Sequence, residues 1–311
     1  MALVTKPSSG VWLWGGFSFV SCNAHLQRDV VVPNPSESRP LFLLSNDDGV
    51  RAAGILAAQD ALEPLGDVIV AAPDRERSAT SHSISLEHPL RAEEVRPKVF
   101  AIDGTPVDCV YLALLHLCPR KPDLVISGIN HGYNLGSDIF YSGTVAAAVE
   151  GSLRGVPGIA VSQERRPPLD FSRAASFLHA LVAQVLARGV GTLPSNGVLN
   201  VNLPANASDK YEVTFLGRRV YRDLVDVRQD LRGRSYYWIG GPEAEGVDVP
   251  GSDMSAIRAG DVSLTPITLD LSNRAFIEPL RTWSLDGWQR RPSVDVPPIA
   301  VPPEAPSPRK S

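Results

Sequence analysis

Three cysteines stand in 311 residues, at positions 22, 109 and 118. The number is odd, and Cys109 and Cys118 fall in an apolar helical pattern. A disulfide framework is a poor fit; structural thiols in a reducing compartment fit better. No block rich in Lys and Arg occurs, and the net charge is −4. The electrostatic footprint of a nucleic-acid-binding protein is therefore missing. No apolar run is long enough to span a bilayer, since the longest near the start, VWLWGGFSFV at 11–20, falls well short. The spacings HxH, HExxH and CxxC are absent, which removes the usual patterns for zinc. Neither a Walker loop nor a GxGxxG is present, so nothing points to an NTP or to NAD. No internal repeat is visible. What remains is ordinary globular composition, 43% hydrophobic and 21% charged. The length suits one large α/β domain with an appendage, or two domains.

Residues 1–38 read as an extension outside the fold: a disordered segment, a targeting signal or an over-long start. From Arg39 the pattern changes. Short apolar runs at 39–47, 67–74, 99–106, 123–130, 158–162 and 198–204 alternate with helical spacing at 52–66, 106–117, 141–156 and 172–189. Thr105 is placed to cap the second helix, with Pro106 at its first position. The strands are apolar nearly throughout, as parallel strands covered on both faces are. The prediction is a doubly wound, Rossmann-like, mostly parallel α/β sheet over 39–210. After 210 the rhythm breaks into hairpin-like strands and a late strand at 261–271. This 211–280 segment reads as a C-terminal β-rich oligomerisation arm, because such a hairpin is marginal alone. The remainder, 281–311, is Pro-rich and reads as a disordered tail.

In an open parallel sheet, ligands bind beyond the carboxyl ends of the strands. Past the first strand stand Asn46, Asp47, Asp48 and Gly49. Past the second comes APDRERSATSHS at 72–83, and past the fourth SGINHGYNLGSDIFYSGT at 127–144. All three loops are polar and longer than a bare turn. Two adjacent carboxylates with hydroxyl and amide oxygens nearby suit a hard cation such as Mg²⁺, Mn²⁺ or Ca²⁺. Taken alone, NDDG is more simply a strand-end turn. The stretch Ser142–Thr144 opens a helix, where free N–H groups favour a phosphate; the plainer alternative is that Ser142 is only a cap. His116 and His179 lie within helices and read as structural. His82 and His131 lie in the candidate loops, as hydrogen-bonding residues or as donors to a leaving oxygen.

The blocks LLSNDDGV, APDRERSATSHSISL, DGTPVDCVYLAL, PDLVISGIN and NLGSDIFYSGTVAAAVEG resemble, in order and spacing, the SurE family of metal-dependent phosphatases. The likeness resumes at NVNLP, 200–204, and at GSDMSAIRAGDVSLTPI, 251–267. It implies hydrolysis of nucleoside 5′-monophosphates, with 3′-monophosphates and short polyphosphate as further substrates. It implies one divalent metal ion, Mg²⁺ or Mn²⁺ with Ca²⁺ as a crystal substitute, and a homodimer or homotetramer built through the C-terminal arm. Carried onto this chain, the metal ligands are Asp47, Asp48, Ser78 and Asn130. Asp47 and Asp48 also serve catalysis. Phosphate contacts fall at Asn46, Asn134, Ser142, Gly143 and Thr144. Two departures stand out: Asp261 takes the place of a family Tyr, and no His follows His179 to match a C-terminal acid.

Two rival readings have physical content. An aspartyl-phosphate phosphatase uses Asp-x-Asp after its first strand, but Asn46 stands where the nucleophile would be. A receiver-like module needs an acceptor Asp at a later strand end, and Asp123 precedes its strand. A non-catalytic metal- or nucleotide-binding protein is the remaining alternative. The expected compartment is the cytoplasm, with an N-terminal targeting signal left open and no membrane or nucleic-acid partner.

Overall fold

In the computed structural model, the described residues are 39–291 apart from 195, 221–223, 241–244 and 248. The 1–38 extension lies outside the described residues, as do Cys22 and residues 292–311 of the tail expected over 281–311.

Strand β1 (Leu41–Ser45) is buried along its whole length. Its side chains alternate between two cores. Phe42 and Leu44 face one cluster with Ile55, Leu62, Leu178 and Val182. Leu41 and Leu43 face another with Cys109, Val110 and Ala147. A strand buried on both faces needs apolar residues at every position, which is why its sequence shows no alternation. Helices α1 (Ala53–Leu62) and α4 (Ser172–Arg188) supply the first cluster, and α2 (Pro106–Leu112) and α3 (Gly143–Leu153) the second. Thr105 caps α2 in a reciprocal pair with Asp108, with Pro106 at the first turn. Ser142 caps α3 by accepting the Val145 N–H. Small residues let α3 lie close to the sheet: a Cβ at Gly151 would stand 2.6 Å from a Val125 methyl. Truncating a fully buried strand residue such as Ile126 to Ala costs about 2–5 kcal/mol.

Among the described residues, nine strands form one sheet in the order β3-β4-β2-β1-β5-β6-β7-β13-β8. They are β2 (Asp67–Pro73), β3 (Ala92–Arg96), β4 (Val99–Ile102), β5 (Leu124–His131), β6 (Gly158–Gln163), β7 (Gly197–Leu203), β8 (Tyr211–Val213) and β13 (Val262–Thr268). The strands β4, β2, β1, β5, β6 and β7 run parallel, β3 pairs antiparallel with β4, and β13 pairs antiparallel with β7 and parallel with β8. From β1 the chain winds outward first through β2 and β4, then through β5, β6 and β7. The carboxyl ends of β1 and β5 are thus the topological switch point.

Two findings refine the sequence reading. Strand β3 was not predicted; its AEEVR residues are almost all exposed, so no apolar pattern announces it. The expected division at 210 does not follow the sheet, because β8 and the late strand β13 both belong to it. Outside the sheet, β9 (Arg219–Val220) pairs with β12 (Glu245–Gly246), and β10 (Leu224–Gln229) pairs antiparallel with β11 (Ser235–Gly240). Helices α5 (Asp253–Arg258) and α6 (Arg274–Arg281) flank β13. No described helix is long and apolar enough to cross a membrane. Cys109 and Cys118 are free, and burial pushes both thiols up.

Candidate functional site

The ends of β1, β2, β5 and β6 enclose a cavity of about 490 Å³, the size of a small-molecule site. Six of the nine expected site residues line it: Asp47, Asp48, Ser78, Asn130, Asn134 and Ser142. They come from four chain segments, and specific bonds hold the segments together. The Arg77 N–H donates to the Asp47 carbonyl (2.7 Å), which ties the Ser78 loop to the β1 end. At the far end of that loop, His82 Nε2 pairs with Glu150 Oε2 on α3 (3.0 Å).

Asn130 reaches the cavity through a bulge. The β5–β6 register shifts between Ser127 and Asn130, so β5 carries one residue more than β6 over that interval. The next loop is held by a buried amide cluster. Asn134 donates its amide N–H to Asn202 Oδ1 (2.8 Å) and Nδ2 to Ser162 (2.7 Å). Its carbonyl accepts from Asn200 (2.8 Å) and Asn202 (3.0 Å).

Asp47 is 4% exposed. The Thr144 hydroxyl donates to it in a short bond. Burial pushes Asp47 up to about 6, against the pull of that hydroxyl and with a further push from Asp48. Burial likewise pushes Asp48 up to about 6; the His131 N–H (3.1 Å) opposes the rise, Glu76 adds to it and Arg165 opposes it. A buried carboxylate beside a half-buried one is costly without a cation. The neutral donors fit one. Asn130 Nδ2 donates to the Gly132 carbonyl (2.9 Å), which leaves its Oδ1 for the site. Ser78 gives its proton to Glu76 (2.9 Å), which leaves its lone pairs. Two carboxylates, a hydroxyl and an amide oxygen make an all-oxygen set for a hard divalent ion. Among the described residues, no group of three or more His, Cys, Asp or Glu could hold a metal. An imidazole- or thiolate-rich centre therefore has no ligands here.

The remaining three expected phosphate contacts have other tasks. Both amide atoms of Asn46 bond Gly49 and shape the turn, so Asn46 does not reach the cavity. Thr144 is fully buried and its hydroxyl is spent on Asp47. Gly143 lies directly behind Asp47, where a Cβ would come within 2.8 Å of the Asp47 Cβ. The α3 N-terminus thus supports a carboxylate.

Of the two loop histidines, only His131 lines the cavity. Its Nε2 accepts the Gly54 N–H (3.3 Å), so the geometry assigns the ring proton to Nδ1, 3.8 Å from Asp48. The ring stacks on Phe171 at 4.8 Å. Burial lowers its pKa, which favours the neutral ring. Sequence reasoning missed Glu76, Asp138, Tyr141 and Arg165 on the cavity wall. Their signal was position alone, a few residues past a strand end.

The family model for Survival protein SurE matches residues 42–223. The 5′-nucleotidase SurE of Myxococcus xanthus (strain DK1622) is 49% identical over 252 residues, covering 80% of this chain and 95% of that protein. The 5′-nucleotidase SurE of Sorangium cellulosum (strain So ce56) is 52% identical over 236 residues, covering 75% and 91%. The crystal structure of the SurE protein from Aquifex aeolicus superposes with a TM-score of 0.69 at 40% identity, over 78% of this chain and 98% of that one. The matched span contains every residue that Asp47 and Asp48 bond at the sheet edge, and the shared fold extends beyond it: this chain belongs to the SurE family.

Proposed function

We propose that this chain is a 5′-nucleotidase, hydrolysing the phosphomonoester of nucleoside 5′-monophosphates to nucleoside and phosphate. The observation that carries the reading is the pair Asp47–Asp48, the first buried and the second half-buried, at the switch point of a chain about half identical to 5′-nucleotidases named SurE. Asp47, Asp48, Ser78 and Asn130 hold one divalent ion, Mg²⁺ or Mn²⁺. When bound, the ion supplies charge neutralisation at the phosphate and Lewis acidity toward water.

The chain's own residues do the rest. Asp47 is fixed by Thr144, and Asp48 by the His131 N–H, so their oxygens are aimed before substrate arrives. They orient the attacking water. Its oxygen bonds to phosphorus, the bond from phosphorus to O5′ breaks with its electron pair on O5′, and the proton that the water gives up is balanced by the one that O5′ takes from solvent. Asn134 and Ser142 line the wall that receives the phosphoryl oxygens. His131 keeps its Nδ1 proton toward Asp48 and acts as an orienting group. His82, paired with Glu150 and off the cavity wall, leaves the set of candidate acids. Asn46 stands where an Asp-x-Asp phosphatase keeps its nucleophile, and Gly49 engages both of its amide atoms, so a phospho-aspartate route has no support.

The β10–β11 hairpins join copies into a homodimer or homotetramer. The cytoplasm suits the free thiols. Purified protein with AMP or GMP should release phosphate when Mn²⁺ or Mg²⁺ is present. EDTA should abolish release and excess metal restore it. Absence of release with either metal overturns the reading.

A further inference from the structure

The cavity has a charge problem that the metal ligands do not solve. Four carboxylates line it: Asp47, Asp48, Glu76 and Asp138. Asp138 is neutralised by Arg219, whose side chain is not on the wall. A divalent ion balances Asp47 and Asp48. Glu76 then stays negative, and the substrate brings a phosphate dianion. Among the described lining residues, one side chain is cationic at every working pH: Arg165. It lines the same cavity as Asp48 and His131, and its charge reaches both.

Arg165 is held where it stands by its neighbours. The Glu164 N–H donates to the Leu203 carbonyl (2.9 Å), and Glu164 Oε2 accepts the Ala205 N–H (3.0 Å). At the other end of the loop, Gln163 Nε2 donates to the Asp170 carbonyl (2.7 Å). Phe171 then stacks on His131. The loop 164–170 is therefore pinned at both ends beside the cavity. Its next residue is Arg165; Arg165 and Arg166 are both exposed, and of the two only Arg165 lines the wall.

We infer that Arg165 is a substrate-binding residue, gripping the phosphate of the monoester from the wall that it shares with Asp47 and Asp48. A guanidinium presents a planar fork of donors that matches phosphate oxygens two at a time, and an ammonium cannot reproduce that geometry. Because it binds the group shared by all monoesters, Arg165 serves substrates with and without a nucleoside alike.

The assignment rests on the phosphatase reading, and the test separates the two. Wild type, R165Q, R165K and R166Q are assayed with AMP and with p-nitrophenyl phosphate at saturating Mn²⁺, over a range of ionic strength. R165Q should lose about 10- to 100-fold in kcat/KM on both substrates, the scale of one charge-assisted contact. R165K should recover part of the loss. The fall of wild-type kcat/KM with added salt should flatten in R165Q, which a merely structural role would not produce. Tm and Mn²⁺ affinity should not move, and R166Q should match wild type. R165Q within about twofold of wild type on both substrates overturns the assignment. So does a loss in R166Q equal to that in R165Q, or a loss in R165Q confined to AMP. Failure of the wild type itself to hydrolyse AMP overturns the phosphatase reading instead.

Discussion

The cavity and the β10–β11 hairpin handle water in opposite ways. At the cavity, polar groups leave solvent and find partners in the same chain: Thr144 on Asp47, the His131 amide on Asp48, Asn200 and Asn202 on Asn134. On the hairpin, apolar groups stay in solvent, with Val225 53%, Trp238 61% and Ile239 91% exposed. A buried polar network that is satisfied internally is rigid and specific. A two-stranded ribbon that carries Val225, Val227, Tyr237 and Ile239 on one face lacks a surface to bury it against. The cavity wall finds its hydrogen-bond partners within the one chain, whereas the hairpin leaves apolar side chains exposed, the surface that the proposed assembly would cover.

The strongest way to break this comparison is at its acidic end. Asp47→Asn removes one of two charges that aim water and cation, and AMP hydrolysis should fall by about 10²- to 10³-fold or more. Phosphate release with Mn²⁺ checks it, and an active D47N removes the proposed ligand set. Thr144→Val should cost less, about 10- to 100-fold, because Thr144 orients Asp47 without touching substrate. Mn²⁺ titration of T144V should show weakened metal affinity.

A third effect is on stability. Without metal, Asp47 and Asp48 are each raised from 3.8 to about 6. A raised folded-state carboxyl pKa gives stabilisation that is full below the unfolded value and lost as pH rises through the folded one. The metal-free protein should therefore lose stability from about pH 4 to pH 6 through these two groups. A divalent ion binds their charged form, so at fixed excess it should raise Tm more at pH 8 than at pH 5. Differential scanning fluorimetry with and without Mn²⁺ measures both. The smallest effect on turnover is expected from the arm. Trp238→Glu with Ile239→Lys should shift the assembly toward monomer in light scattering, with kcat/KM for AMP within about twofold of wild type. Collapse of activity along with the assembly would show that the cavity depends on a second chain.

How much of this was legible in the sequence follows the same division. LFLLS and LVISGI could be read because strands covered on both faces must be apolar throughout. AEEVR could not, because an exposed edge strand needs no apolar residue at all. The place of β13 in the sheet was hidden as well, since a long excursion through the arm separates it from its partner β7. At the site, Asp47, Asp48, Ser78 and Asn130 were visible as oxygen-bearing residues past strand ends. Thr144, 97 residues from Asp47, reads as part of a helix start; only the packing of α3 behind β1 turns its hydroxyl toward a carboxylate. Arg165 resembles any loop arginine until the ends of its loop are seen to be fixed. Asn200 and Asn202 alternate along β7 as strand polar residues do, and their shared target is set by tertiary approach.

The single surplus residue in β5 has a consequence for element choice. Side chains in a strand alternate faces, so removing one residue between Ser127 and Asn130 would move every later position back by one. His131 would then stand where Asn130 now offers its amide oxygen. A nitrogen would enter the ligand set, and borderline ions such as Zn²⁺ or Ni²⁺ would gain over Mg²⁺. One residue's worth of irregular pairing is what keeps an amide oxygen, and not an imidazole, at this place on the cavity wall.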